Sequence, residues 1–231
     1  MQHSIAQNDS SSATKLTRAL LFCGVVAGPL YVIVGAIEIL TRPGFDVTRH
    51  DLSLMSNGDW GWVHSSLLIL TGLLTCACAV GMRRVLRGSR GGTWGPILLG
   101  IYGLGLIGAG FFSADPALGF PPGTPADAHA VSWHGLLHFV SGGIGFLGLI
   151  GACFVLARRF AAHNLRGWAV YSVATGVIFF AAFVGIAVGS NSVGAITTFV
   201  ILAFTVAVVL GWAWVAAVAA RLLTELAKAQ D

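Results

Sequence analysis

The strongest constraint on this chain is a series of six long apolar segments that leave almost no charge to face water. Of its 231 residues, 56% are hydrophobic and only 10% are charged, whereas a soluble domain carries about 25% charged residues. So few charges cannot cover a water-facing surface, which excludes an ordinary soluble domain and an intrinsically disordered chain. A nucleic-acid-binding module is excluded as well, because its basic residues would be gathered on one exposed domain.

Each apolar segment is long enough to cross a membrane as a helix, since a bilayer core of about 30 Å needs about 20 apolar residues. The breaks between the segments hold the charges and the turn-forming residues. The tails, residues 1–18 and 221–231, are predicted to be cytoplasmic, the first of them disordered. We therefore predict an all-α membrane protein, a six-helix transmembrane bundle with spans at residues 19–40, 60–82, 95–112, 131–157, 168–189 and 194–220.

Basic residues lie almost entirely on one side of these six spans. With alternating spans, 11 of the 13 lysines and arginines fall on the side that holds both termini, and only Arg42 and Arg49 fall on the other. Cytoplasmic segments of membrane proteins carry this excess of Lys and Arg. The bias predicts that both termini are cytoplasmic and that the loop containing Arg42 faces outward.

Small residues and tryptophans indicate how the spans pack. Glycines are concentrated in the third and fourth spans, and small residues let membrane helices approach closely. These two spans are predicted to form the packed centre, with Gly105 and Gly145 at helix contacts. The sixth span has almost no glycine and is predicted to face lipid more. The tryptophans, Trp212 and Trp214 among them, are predicted to form belts at the membrane surfaces.

Histidines and acidic residues show the opposite bias to arginine. Five of the seven histidines lie in the outer loops or at the outer ends of the spans, and Glu38 lies in the outer part of the first span. Acidic residues are tolerated on the outer side of a membrane, which accounts for their bias but not for the concentration of histidines there. The outer residues are His50, His64, His129, His134, His138, Asp46, Asp51, Asp59, Asp115 and Asp127.

The fourth span carries the most informative pattern. His134 and His138 are four residues apart, so they share a helix face with about 6 Å between their Cβ atoms, and Ser141 continues that face. Polar groups on three other spans reach a similar height: His64, Asp115 and Glu38. The sequence therefore predicts an outward-facing His/Asp pocket near the outer membrane surface.

Three interpretations of this pocket stay open. In the first, the side chains form a structural hydrogen-bond network. In the second, they bind a divalent metal such as zinc, which takes His and carboxylate ligands and activates water, or the histidines ligate a haem. In the third, the pocket handles protons or a polar substrate without a metal. The metal ligands would be His64, His134, His138 and Asp115.

Four short motifs stand at the outer ends of the second, third and fourth spans. They are Arg49-His50-Asp51-Leu52-Ser53, Gly58-Asp59-Trp60-Gly61-Trp62, Phe112-Ser113-Ala114-Asp115-Pro116 and Trp133-His134-Gly135-Leu136-Leu137-His138. Over roughly residues 20–220, the chain resembles the DUF998 family of bacterial and archaeal multi-pass membrane proteins. The resemblance implies a prokaryotic inner-membrane protein, distantly similar to the eukaryotic Frag1/DRAM/Sfk1 six-helix proteins. It marks Ser53, Asp115, His134 and His138 but implies no reaction, because the family's activity is unassigned.

Two classes of function fit these observations. The first is an enzyme that acts on a lipid or isoprenoid head group. The second is a non-enzymatic transporter, sensor or membrane assembly partner in which the polar cluster is structural. Membrane lipids are the expected partners in both classes, and nucleic acid is not. The candidate residues are, for catalysis, His64, Asp115, His134 and His138, and, for substrate binding, Glu38, Ser53 and Ser141.

Overall fold

The computed structural model describes residues 2–128, 130–189 and 195–228, with side chains from residue 12 onward. It confirms the predicted all-α class, with six helices that are each long and apolar enough to cross a membrane. A 3₁₀ helix, Leu52–Ser56, lies between the first two. The helices are α1 (Gln2–Thr41), α2 (Gly61–Val85), α3 (Trp94–Phe111), α4 (Trp133–Ala162), α5 (Arg166–Gly189) and α6 (Ala195–Lys228).

The six helices form a closed ring in chain order. Each helix packs against the next, α6 packs back against α1, and α2 also contacts α6 across the ring. Consecutive helices therefore run in opposite directions. The histidine end of the bundle carries the first loop (residues 42–60) and the third loop (residues 112–132). The arginine end carries the loops at residues 86–93 and 163–165.

The N-terminal segment differs from the sequence-based expectation. The sequence predicts a disordered tail through residue 18, whereas α1 begins at Gln2 and continues through this segment without a break. Adding residues to an existing helix costs far less than nucleating one, and the long apolar span supplies the nucleus. The C-terminal tail likewise continues α6 as far as Lys228, and residues 229–231 lie outside the described part of the chain.

The contact between α3 and α4 confirms the packed centre that the glycines predict. A Cβ atom built on Gly105 would lie 2.5 Å from the Cα of Gly145, and one built on Gly145 would lie 3.1 Å from the Cα of Gly105. No side chain fits between helix backbones this close. The two helices therefore meet backbone to backbone at these glycines.

The prediction that the sixth helix faces lipid more than the third and fourth is confirmed against the third only. The most apolar stretch of α3 is 50% buried, and those of α4 and α6 are both 39% buried. Ala207, Trp212 and Trp214 are completely or almost completely buried, which also removes the two tryptophans from the predicted surface belts. Large side chains of α6 fill the interior on its side of the ring, whereas α3 and α4 meet by close backbone contact.

Candidate functional site

The first and third loops cover the histidine end and are joined by His50. The Nδ1 atom of His50 accepts a hydrogen bond from the Asp46 backbone N–H at 2.9 Å. Its Nε2–H donates to the Leu118 carbonyl at 3.1 Å. Both ring nitrogens are used for these bonds and the side chain is buried, so His50 holds the two loops together.

Arg42 lies beneath the same loops, just after the end of α1. Its Nη2 donates to the carbonyls of Met55 and Asn57, and its guanidinium lies 5.7 Å from the centre of the Phe120 ring. Burial lowers the pKa of Arg42, and the negative charge of Glu38 opposes this shift. Arg42 therefore fastens the first loop over the end of α1 while keeping a positive charge near Glu38.

Asp115 caps the start of α4. Its Oδ2 accepts from the Ser132 backbone N–H at 2.7 Å, and its Oδ1 accepts from the Ser132 hydroxyl, which itself accepts from the Gly135 N–H at 3.1 Å. Burial alone would raise the pKa of Asp115, but the bonds from Ser132 and the nearby His134 hold this pKa below its usual value. The carboxylate thus satisfies groups at a helix start that otherwise lack partners.

His134 and His138 bind the end of α3. The Nδ1–H of His138 is shared between the carbonyls of Ala109 and Phe112, at 2.9 and 2.7 Å. The Nδ1–H of His134 reaches the Ser113 carbonyl at 3.2 Å. The last carbonyls of a helix have no partner within it, so both histidines fasten the end of α3 to the start of α4.

Glu38 and His64 form a separate buried pair, the Glu38–His64 dyad, between α1 and α2. The Oε2 atom of Glu38 lies 2.8 Å from the Nδ1 of His64, and both side chains are almost completely buried. Among the described residues, the remaining polar atoms, Glu38 Oε1 and His64 Nε2, have no hydrogen-bond partner. Buried polar atoms nearly always have a partner, so these two atoms distinguish the dyad from the fully bonded His50.

An aromatic group in the middle of the ring adjoins the dyad. The Tyr31 ring meets the His64 ring edge-on, with centres 6.2 Å apart, and stacks on Trp212 at 5.0 Å. Trp212 also contacts Tyr102 at 5.5 Å. The Nε1–H of Trp212 is buried and likewise lacks a partner among the described residues. The Tyr31 ring thus contacts two rings, those of His64 and Trp212, that each carry a buried nitrogen without a partner among the described residues.

The four proposed metal ligands therefore divide into two groups. His64 pairs with Glu38 of α1, whereas Asp115, His134 and His138 bind α3 and α4, because α3 packs between α2 and α4 in the ring. Within the described residues, no three His, Cys, Asp or Glu side chains lie close enough together to hold a metal ion. The structure does not assemble the predicted ligand set, and His129 lies outside the described residues.

Among the described residues, neither of the two serines proposed as substrate-binding residues forms a hydrogen bond with the dyad. The Ser53 carbonyl accepts a hydrogen bond from the Ser56 hydroxyl at 2.7 Å within the first loop. Ser141 packs against Gly108 of α3, where a Cβ atom would lie 2.7 Å from the serine Oγ. Ser141 is thus part of the close contact between α3 and α4.

Three residues around the dyad were not singled out from the sequence as site residues. Arg42 follows Glu38 by four residues and therefore lies on the same helix face. This spacing is the sequence signal that points to Arg42. Nothing in the sequence distinguishes Tyr31 and Trp212 from other aromatic residues of the spans.

Asp51, in the first loop, gives a pH-dependent prediction. Burial raises its pKa to about 6, and its Oδ1 has no hydrogen-bond partner among the described residues. An unfolded chain releases this proton near pH 3.9, so the folded state holds more protons between about pH 4 and 6, and stability falls as pH rises through this window. We expect Asp51→Asn to flatten this fall and to stabilise the protein at pH 8 by an amount on the order of 2 kcal/mol.

Thermal unfolding of both proteins in detergent, measured at pH 4, 6 and 8, checks this prediction. Asp46 supplies a matched control, because its carboxylate is exposed and bonded to Thr48. Asp46→Asn should not stabilise the protein at high pH. If the Asp51→Asn protein and the wild type have the same stability at all three pH values, the raised pKa of a buried Asp51 carboxyl is contradicted.

Comparison with known proteins gives one match. The model of a family described as a protein of unknown function, DUF998, matches residues 25–221. No curated protein and no solved structure matches the chain.

Proposed function

This chain belongs to the DUF998 family of proteins of unknown function, and from that premise we propose a function based on the Glu38–His64 dyad. The chain is a multi-pass integral membrane protein. We propose that His64, oriented by Glu38, acts as a general base toward a hydroxyl group of a lipid or isoprenoid head group. The observation that carries the proposal is the buried His64 Nε2 atom, which has no hydrogen-bond partner among the described residues.

The contact with Glu38 determines what His64 can do. A carboxylate that accepts a hydrogen bond from Nδ1–H holds the imidazole in one tautomer and leaves the lone pair on Nε2. The carboxylate also stabilises the imidazolium that forms when Nε2 takes a proton. In the proposed step, the hydroxyl oxygen attacks the acyl or phosphoryl group of a second substrate while its proton moves to Nε2 and Glu38 offsets the new positive charge; the bond to the leaving group breaks, and the leaving group takes up the proton from Nε2. The arrangement thus supports proton transfer, the third of the three interpretations.

The depth of the dyad supports a head group as the ligand. Glu38 lies three residues before the end of α1, and His64 lies three residues after the start of α2, which is about 4.5 Å along a helix axis. Trp60 and Trp62, at the start of α2, are exposed, and exposed tryptophans are enriched at head-group depth. A lipid hydroxyl at that depth would lie level with the dyad.

For Asp115, His134 and His138 we propose a structural role, the first of the three interpretations. Their polar atoms bind the end of α3 and the start of α4. These bonds hold the third loop in place, so for these three residues they favour the structural role that belongs to the non-enzymatic candidate function. The difference from the dyad lies in the partner of Nδ1, which is a pair of backbone carbonyls for His138 and a carboxylate for His64.

Lipid analysis tests the proposed activity. In the native host lacking its own gene copy, the wild type should change the abundance of at least one lipid or isoprenoid head-group species. Glu38→Gln and His64→Gln should each reduce that change by at least about 100-fold, the usual contribution of general acid–base catalysis. The control is His163→Gln, an exposed histidine at the arginine end. A lipid profile that does not respond to the wild type, or dyad variants that match it, would overturn the proposal.

We also propose that the protein lies in the prokaryotic inner membrane with both termini in the cytoplasm, supported by the arginine bias. In a background without native cysteines, a cysteine at the exposed Ala126 should react with an impermeant thiol reagent in whole cells. One at the exposed His163 should react only after permeabilisation. The reverse labelling pattern would overturn the orientation.

A further inference from the structure

A groove at the arginine end has the features of a lipid site. It lies between the start of α3 and the end of α4 and has a volume of about 600 Å³, and the residues that line it include Arg90, Trp94, Val155 and Arg158. Both arginines are exposed. This groove is at the opposite end of the bundle from the dyad, so it is independent of the proposed function. We propose that it binds the phosphate of an anionic phospholipid.

The charge of the groove selects an anion. Among the described residues that line it, two are arginines and none is acidic. Neither Arg90 nor Arg158 forms a salt bridge within the described residues, unlike the neighbouring Arg159, which binds Glu225 at 2.9 Å. A guanidinium presents paired N–H donors that match the oxygens of a phosphate. Two such groups in one groove favour a phosphate over a neutral head group.

The position of the groove selects a lipid rather than a dissolved anion. Trp94 begins the α3 span and is 65% exposed, and Ile97, one turn further into the membrane, is 45% exposed. Phe154, one turn before Arg158, is 38% exposed. The arginines thus stand at head-group depth, with exposed apolar side chains below them where acyl chains would lie. Basic pockets between spans bind anionic lipid head groups in this manner.

Native mass spectrometry of the purified full-length protein tests this site, with an equimolar mixture of phosphatidylglycerol and phosphatidylcholine as the probe. The wild type should retain phosphatidylglycerol in preference to phosphatidylcholine. Arg90→Gln combined with Arg158→Gln should weaken retention by about 30-fold, because each arginine near a lipid surface contributes about 1 kcal/mol and 1.4 kcal/mol is a factor of ten. Soluble glycerol phosphate at millimolar concentration should not displace the lipid.

The control removes the same charge from the same end of the bundle. Arg87→Gln combined with Arg166→Gln changes two exposed arginines that do not line the groove, and it should keep wild-type retention and selectivity. Equal losses in both double variants would mean diffuse attraction and would overturn the site. Equal retention of the two lipids would also overturn it, and displacement by glycerol phosphate would make it a site for free phosphate. Matching melting temperatures of all proteins exclude a folding defect.

Discussion

Replacing Glu38 with alanine should lower the stability of the protein by about 1–3 kcal/mol, because it leaves the buried Nδ1–H of a neutral His64 without its acceptor. Glu38 and His64 are joined at 2.8 Å and are almost completely buried. Glu38→Gln should cost less, since an amide still reaches the imidazole. Denaturant or thermal unfolding of the detergent-solubilised protein measures the difference.

A double variant separates stability from function at the dyad. Replacing both partners of a buried hydrogen bond by apolar groups of similar shape can be nearly neutral or stabilising. Glu38→Leu combined with His64→Leu should therefore recover most of the stability that Glu38→Ala loses, while abolishing the lipid change. A double variant as unstable as Glu38→Ala would indicate that the pair exists to hold α1 and α2 together.

Replacing Gly145 with leucine should destabilise the protein by at least about 3 kcal/mol, the upper part of the range for overpacking. A Cβ atom on Gly145 would already lie 3.1 Å from the Cα of Gly105 and 3.3 Å from the Tyr102 carbonyl oxygen. These are backbone atoms, which cannot move aside as a flexible side chain can. The α3–α4 pair would have to separate, and unfolding in detergent should occur at a clearly lower temperature.

Gly142, three residues earlier on the same helix, provides the matched control. A Cβ atom there would meet nothing within 4 Å, so leucine can be accommodated and should raise helix propensity relative to glycine. Gly142→Leu should therefore be neutral or slightly stabilising. If both leucine variants unfold alike, the backbone contact between Gly105 and Gly145 does not control the packing of this bundle.

Features that depend on local composition could be predicted from the sequence. A span needs about 20 apolar residues, so hydropathy located all six helices, although α1 begins well before its predicted span and α4 and α6 continue five and eight residues past theirs. The contact at Gly105 and Gly145 was also predictable, because glycine removes the side chain that would hold two helices apart. Both features follow from properties of each segment taken alone.

Pairing between polar groups could not be predicted, because it depends on the order of helices around the ring. The sequence predicts that Glu38, His64 and His138 lie at one depth in the membrane. Their places on the first, second and fourth spans do not indicate which of them are neighbours. In the structure α3 lies between α2 and α4, so His64 pairs with Glu38 and His138 binds the end of α3. Hydropathy gives the depth of a residue but not its direction around the helix axis.

The prediction that Trp212 lies in a surface belt is wrong for a related reason. Tryptophan near the end of a span is ordinarily a surface-belt residue, and the sequence offers no sign that this one turns inward. It is completely buried and stacks on Tyr31. The inward direction is determined by α1, α3 and α6 together, which no single segment reports.

In the proposed function, Glu38 holds His64 in the tautomer with a proton on Nδ1 and a free lone pair on Nε2. Nitrogen NMR of isotope-labelled histidine in membrane nanodiscs tests it directly, with the His64 signals assigned by their loss in His64→Gln. At neutral pH we expect a protonated Nδ1 and an unprotonated Nε2 in the wild type. A His64 ring with its proton on Nε2, or on both nitrogens, would contradict the account, because Nε2 could then accept no proton from a ligand.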